Sequence, residues 1–209
     1  MATEQQARLA PLEPPQWNDE IMAALGAFPR GLQFVLTQFE SEDGDPRGRN
    51  VLGCFAHYPE LASAFLTFNN HVATGSTLSA RERELLILRI GWLRKAEYEY
   101  LQHVILGLRA GLTEDEVARI PDGPDASGWS AQDADLVRVA DELYDNACIA
   151  QDTWQRLAAR YSEKQMLDMI FLVGCYETVA MMMKSLAIPL EEGVPPLDAE
   201  LLERMHAQR

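Results

Sequence analysis

Residues Leu78–Gly111 read LSARERELLILRIGWLRKAEYEYLQHVILGLRAG, and this stretch decides the fold. Apolar residues recur at helical spacing on both sides of Lys95, which predicts two consecutive helices with a break near that residue. Ser79 and Glu82 have the spacing of a capping box, in which each side chain accepts a hydrogen bond from the other residue's backbone N–H. The first helix has almost no polar face, so we expect it to be buried on nearly all sides.

The same stretch holds the most compact cluster of residues able to carry out chemistry. Glu84 shares a stripe of the first helix with Leu88 and Gly91, and a carboxylate buried there needs a partner or a raised pKa. Glu99 and His103 are four residues apart on the second helix and share one face. The residues that we predict to be catalytic are His103, Glu99, Glu84 and Tyr98. Those predicted to contact a substrate are Tyr100, Trp92 and Glu177.

Small residues lie beside the Glu99–His103 pair. Ala96, Gly107 and Ala110 occupy the same stripe and leave room for a ligand or for a neighbouring backbone. A structural alternative stays open, in which Glu99 merely orients a core histidine. Glu84 on the preceding helix favours a functional site, because perturbed titratable groups that converge are typical of such sites.

Taken with the sequence around it, this cluster resembles the carboxymuconolactone decarboxylase family, which includes alkylhydroperoxidase D. The resemblance covers about residues 52–193 and rests on blocks that come in the family's order. These blocks are HYPELASAFLTF, RERELLILRIGW, YEYLQHV, GLTEDEV, ADELYDN, TWQRLAARYSEKQMLDMIFLVGCYE and IPLEEG.

The resemblance also assigns positions in the site. The peroxidase branch of the family has two cysteines, then a histidine, with a glutamate one helix earlier. On this chain the histidine falls on His103 and the glutamate on Glu84, whereas the cysteine positions fall on Ala96 and Glu99. The chain is therefore most similar to cysteine-free members with a YExxxH motif, here Tyr98 to His103, and a thiol peroxidase that works through that cysteine pair is excluded.

The predicted fold class is all-α, because strand-like alternation is missing from the whole chain. The resemblance implies the same class, a helical bundle of the alkylhydroperoxidase D-like type that assembles as a homo-oligomer (dimer, trimer or hexamer). The predicted domains are an N-terminal arm with short helices (1–50), a carboxymuconolactone decarboxylase-like helical domain (51–193) and a C-terminal tail (194–209). Residues 1–16 are expected to be extended or disordered.

Composition limits the partners and the compartment. The net charge of −14 argues against nucleic acid and against an anionic membrane surface. The first residues lack the apolar segment of a signal peptide, and no uninterrupted apolar run approaches the roughly 18 residues of a membrane span. Cys54, Cys148 and Cys175 form no CxxC or zinc pattern, which predicts reduced thiols in a cytoplasmic protein.

Three functions stay open at this level. The first is a cofactor-free acid–base enzyme, of the decarboxylase, lyase or isomerase type, acting on a small carboxylated compound derived from an aromatic ring. The second is peroxide reduction, which needs a low-pKa thiol and is disfavoured. The third is binding of a small ligand or of a metal, for which the ligands are Glu84, Glu99 and His103.

Overall fold

The computed structural model describes residues 7–207, and the part of the chain so described contains eleven α-helices and no strand. Short turns of 3₁₀ helix lie at Pro14–Gln16 and Ile120–Asp122, and a π-helical turn lies at His71–Gly75. The α-helices are α1 (Asp19–Leu25), α2 (Pro29–Phe39), α3 (Arg49–Phe55), α4 (Pro59–Asn70), α5 (Ala80–Leu93), α6 (Glu97–Arg109), α7 (Glu114–Arg119), α8 (Ala131–Asn146), α9 (Gln151–Ala158), α10 (Glu163–Leu186) and α11 (Ala199–Ala207). The all-α prediction is confirmed. Of the predicted N-terminal arm, residues 1–6 lie outside the described residues.

The described chain divides into two compact units, residues 7–75 with Met182–Pro196, and Ser76–Met181 with residues 197–207. In the first unit, helices α1 to α4 enclose an apolar core whose largest buried members include Trp17, Leu25, Phe55 and Leu66. Glu191 ties the returning segment to α3 in this unit, because its carboxylate accepts a 3.0 Å hydrogen bond from the backbone N–H of Asn50. The predicted domain boundaries at residues 50 and 193 come from the family resemblance and stay a prediction.

Helix α5 is the core of the second unit, and α6 and α8 supply most of its contacts. Its apolar side chains are buried on all sides, as the sequence predicted: Leu85, Leu86, Leu88, Ile90 and Trp92 have no exposed surface. The predicted capping box is also present. The Ser79 hydroxyl accepts from the backbone N–H of Glu82, and the Glu82 carboxylate accepts from that of Ser79.

Two glycines bring α5 and α6 close together. A Cβ on Gly91 would lie 3.3 Å from Glu99 Oε1, and a Cβ on Gly107 would lie 2.9 Å from the Leu112 side chain and 3.3 Å from that of Leu88. The chain reverses between the two helices at Lys95, whose φ of 53° is in the left-handed region. The predicted break is therefore confirmed, and the two helices run antiparallel with Glu84 beside the second half of α6.

Helix α10 corrects one expectation drawn from the sequence. It is long and apolar enough to cross a membrane, judged by length and composition alone, and half of its most apolar window is buried inside the protein. Asp168 and Glu177 interrupt the apolar sequence of α10, so it contains no uninterrupted apolar run of that length. A packed core helix gives the same composition.

Candidate active site

His103 and Glu84 form a buried hydrogen-bonded pair between α6 and α5. The distance from His103 Nδ1 to Glu84 Oε2 is 2.7 Å, and the two side chains are only 11% and 13% exposed. An ionised carboxylate can only accept, so Nδ1 carries the proton that makes this bond. The other ring nitrogen, Nε2, is then the one available to exchange protons.

Tyr176 on α10 closes one side of this pair. Its ring packs edge-on against the imidazole, with the ring centroids 4.9 Å apart and an interplanar angle of 89°. Burial raises the pKa of the Tyr176 hydroxyl well above its usual value, and the negative charge of Glu84 raises it further. The phenol therefore stays protonated and can serve as a hydrogen-bond donor. Tyr176 was absent from the predicted site, and its only sequence signal was its place in the GCYE block of the family resemblance.

Glu99 is the second carboxyl group of the site and has a different environment. It is 1% exposed, and neither of its oxygens has a hydrogen-bond partner within the described residues. Burial raises the pKa of Glu99 well above its usual value, which favours the protonated form of this carboxyl group. Glu84 forms the hydrogen bond to the His103 ring, and neither Glu99 oxygen does; a catalytic role for Glu99 stays a prediction. The i, i+4 spacing correctly predicted that Glu99 and His103 share a face of α6, but it does not determine the direction in which the imidazole of His103 points.

The three residues predicted to contact a substrate are buried or ion-paired. Trp92 and Tyr100 are buried and pack on each other, with ring centroids 5.5 Å apart. Burial raises the pKa of the Tyr100 hydroxyl. Glu177 is ion-paired with Arg94, whose Nε donates to its carboxylate at 2.9 Å. Tyr98 is buried at the start of α6. Substrate contact by Trp92, Tyr100 and Glu177 and a catalytic role for Tyr98 stay predictions.

The alternatives that need a metal or a reactive thiol find little support in this geometry. Across residues 7–207, no group of three or more His, Cys, Asp or Glu side chains is arranged to hold a metal ion. Glu84, Glu99 and His103 thus do not form the ligand set considered from the sequence. Cys148 is exposed, whereas Cys54 and Cys175 are buried, and burial raises the pKa of the Cys54 thiol to about 11.

Solved structures identify the class of fold. A peroxidase-related protein from Silicibacter sp. TM1040 superposes with a TM-score of 0.70 at 17% identity, covering 98% of this chain and 100% of that one. A protein of unknown function from Agrobacterium tumefaciens, provisionally assigned to the AhpD antioxidant defence proteins, gives 0.59 at 18% identity, covering 66% of this chain and 96% of that one. A cysteine-to-alanine variant of the debrominase Bmp8 in complex with 2,3,4-tribromopyrrole gives 0.69 at 11% identity, covering 97% of each chain. The fold is that of the AhpD-like helical proteins.

A family model matches part of the sequence. Residues 59–142 match the model of the carboxymuconolactone decarboxylase family, and this segment contains Glu84, Glu99 and His103. The resemblance predicted from the sequence is confirmed over this segment. No curated protein matches the chain significantly.

Proposed function

We propose that this protein is a cofactor-free enzyme in which His103 moves protons to and from a small carboxylated compound derived from an aromatic ring. The observation that carries the proposal is the buried 2.7 Å hydrogen bond between His103 and Glu84. A carboxylate fixed at Nδ1 orients the imidazole, which leaves Nε2 for the chemistry. A positioned acid–base group of this kind contributes about 10²- to 10⁴-fold to a rate.

The reaction class that suits this arrangement is decarboxylation or isomerisation next to a carbonyl group. In a decarboxylation, the bond between the substrate carboxylate and its carbon breaks, and the electron pair moves towards a conjugated carbonyl oxygen as carbon dioxide leaves. The imidazolium of His103 then gives its Nε2 proton to a carbon of the resulting enolate, and solvent restores the proton. The step consumes one proton and needs neither an oxidant nor a reductant.

Two observations support a small unsaturated ring as the substrate class. The family that includes residues 59–142 is named for a carboxylated lactone. The Bmp8 variant, which shares the fold, is in complex with a substituted pyrrole. The name of the family and the ligand of the Bmp8 variant describe other proteins, so the substrate class is a proposal for this chain.

The test is turnover of 4-carboxymuconolactone, followed by carbon dioxide release and, in deuterated water, by NMR of deuterium incorporated into the product. His103→Gln should lower turnover by about 10²- to 10⁴-fold. His71→Gln is the matched control, because His71 is exposed and should leave turnover unchanged. A folded His103→Gln variant with wild-type turnover would reject the proposed role of His103. A wild-type protein that does not turn over the lactone would reject this substrate class.

We also propose that the protein is a cytoplasmic homo-oligomer. Helix α10 has large apolar side chains on its surface in the second unit, Leu167, Phe171 and Met181, which are 54%, 55% and 55% exposed. They recur at about helical spacing, so they form one stripe. A second copy of the chain would remove that stripe from water. The three cysteines are reduced thiols, in keeping with a reducing compartment.

A further inference from the structure

Glu99 is a buried polar group whose hydrogen-bonding capacity is unused. Both of its oxygens lie beneath the surface with no hydrogen-bond partner among residues 7–207. Leaving a buried polar group unsatisfied destabilises the folded protein, and native proteins contain few such groups. An apolar residue of similar size would avoid that cost, so a carboxyl group here needs an explanation outside the stability of the fold.

The surroundings of Glu99 connect it to the His103–Glu84 pair. Glu99 precedes His103 by one helical turn on the same face of α6. On α5 it faces Gly91, where a Cβ would lie 3.3 Å from its Oε1, so the lack of a side chain at Gly91 gives the carboxyl its space. On α10, Tyr176 interacts electrostatically with both Glu84 and Glu99. Glu99 therefore lies on helix faces shared with the His103–Glu84 pair.

We propose that Glu99 is a catalytic residue that, as a neutral carboxylic acid, donates a hydrogen bond to the carbonyl oxygen of the substrate on which the enolate develops. This inference rests on the proposed acid–base function and assigns Glu99 a role in it. The two carboxyl groups, Glu84 and Glu99, have different roles. Ionised Glu84 stabilises the imidazolium of His103, whereas protonated Glu99 stabilises the negative charge on the substrate.

The proposed role requires Glu99 in its protonated form. An ionised Glu99 would repel an enolate oxygen, whereas a protonated one supplies the O–H that this oxygen needs. The O–H of Glu99 stays covalent throughout, so the only proton that moves to carbon comes from His103 Nε2. The electron pair released by the broken carbon–carbon bond lies on the carbonyl oxygen while Glu99 donates to it, and it returns to carbon when that carbon is protonated.

The kinetics of two substitutions distinguish a hydrogen-bond donor at Glu99 from a side chain that only fills space. Glu99→Leu removes the donor while keeping a similar volume, and should lower kcat with 4-carboxymuconolactone by about 10²- to 10³-fold with a smaller change in KM. Glu99→Gln keeps an N–H donor and should retain kcat within about tenfold of wild type. A Glu99→Leu variant that keeps wild-type kcat, or a Glu99→Gln variant as impaired as Glu99→Leu, would overturn the proposal.

Two further measurements do not depend on turnover. The infrared spectrum at neutral pH should show the carbonyl stretch of a protonated carboxyl group in wild type and in His103→Gln, and lack it in both Glu99 variants. The 4-nitrophenolate anion, used as an enolate probe, should bind wild type at least about tenfold more tightly than Glu99→Leu. A missing infrared band or equal binding of the probe would overturn the role of Glu99 even if His103 proves catalytic. Conversely, if His103 alone proves not to be catalytic, the infrared band and the difference in probe binding should still be observed.

Discussion

Replacing Glu99 with glutamine should change the way in which stability depends on pH. Burial raises the pKa of Glu99 above its ordinary value of 4.5, so the folded protein keeps a proton that the unfolded chain releases. Below pH 4.5 both states are protonated, and the contribution of Glu99 to stability is fully present. Above that pH the unfolded chain ionises, and the contribution is lost as the pH rises towards the pKa of the folded state.

The size of the effect comes from the linkage of protons to unfolding. One proton held only by the folded state makes the free energy of unfolding fall by about 1.4 kcal/mol for each pH unit. Glutamine cannot ionise, so the difference in free energy of unfolding between Glu99→Gln and wild type should grow at that rate, in favour of the variant. The growth should begin near pH 4.5, the ordinary value for a glutamate, and stop at the pKa of Glu99 in the folded protein.

The assay is urea unfolding of wild type and Glu99→Gln across the pH range from about 5 to about 8, followed by circular dichroism. Glu203→Gln is the matched control, because Glu203 is exposed on α11 and its removal should give a curve parallel to wild type. Parallel curves for wild type and Glu99→Gln would show that Glu99 is ionised in the folded protein. That result would refute both its unpaired burial and its proposed role as a donor.

Three other predictions follow from the same geometry. Gly91→Ala should lower turnover of the lactone by about tenfold or more, because the added methyl group would lie 3.3 Å from Glu99 Oε1. Gly174→Ala is the control: no atom lies near its Cβ, so it should leave turnover unchanged and stabilise α10 by about 0.5–1 kcal/mol. Equal effects of the two substitutions on turnover would contradict this prediction. Hydrogen peroxide should oxidise the exposed Cys148 thiol and leave the buried Cys54 and Cys175 thiols intact, as measured by thiol titration of wild type and Cys148→Ser. Rapid loss of a thiol in Cys148→Ser would instead support peroxide reduction as the function. Phe171→Glu should lower the mass of the oligomer in size-exclusion chromatography with light scattering, whereas Glu163→Gln at the start of α10 should not; an unchanged mass in the Phe171 variant would exclude the α10 stripe as the contact.

The helices around the site could be predicted because their signals are local. The capping residues Ser79 and Glu82 and the apolar run that follows them fix α5 without reference to the rest of the chain. The break before α6 was visible for the same reason. The family resemblance then added the correspondence of Glu84 and His103, and the structure shows that these two side chains bond to each other.

The roles of the two carboxyl groups could not be predicted, because they depend on how the helices pack. Glu99 and His103 share a face of α6, but Gly107 lets α5 approach closely and the imidazole bonds across to Glu84 instead. Tyr176 was missed because it lies more than seventy residues further along the chain, on α10. The ion pair of Glu177 with Arg94 could not be predicted either, because the two residues are equally remote in sequence.

The central claim is that Glu84 holds the Nδ1–H of His103 and leaves Nε2 for proton exchange. Long-range ¹⁵N–¹H NMR of the histidine rings tests this most directly, with His103→Gln used to assign the His103 signals among those of the four histidines. We expect the Nδ1 proton of His103 to be shifted downfield and protected from exchange with water, and both properties to be lost in Glu84→Gln. A His103 ring with its proton on Nε2, or with signals that Glu84→Gln does not change, would contradict the account.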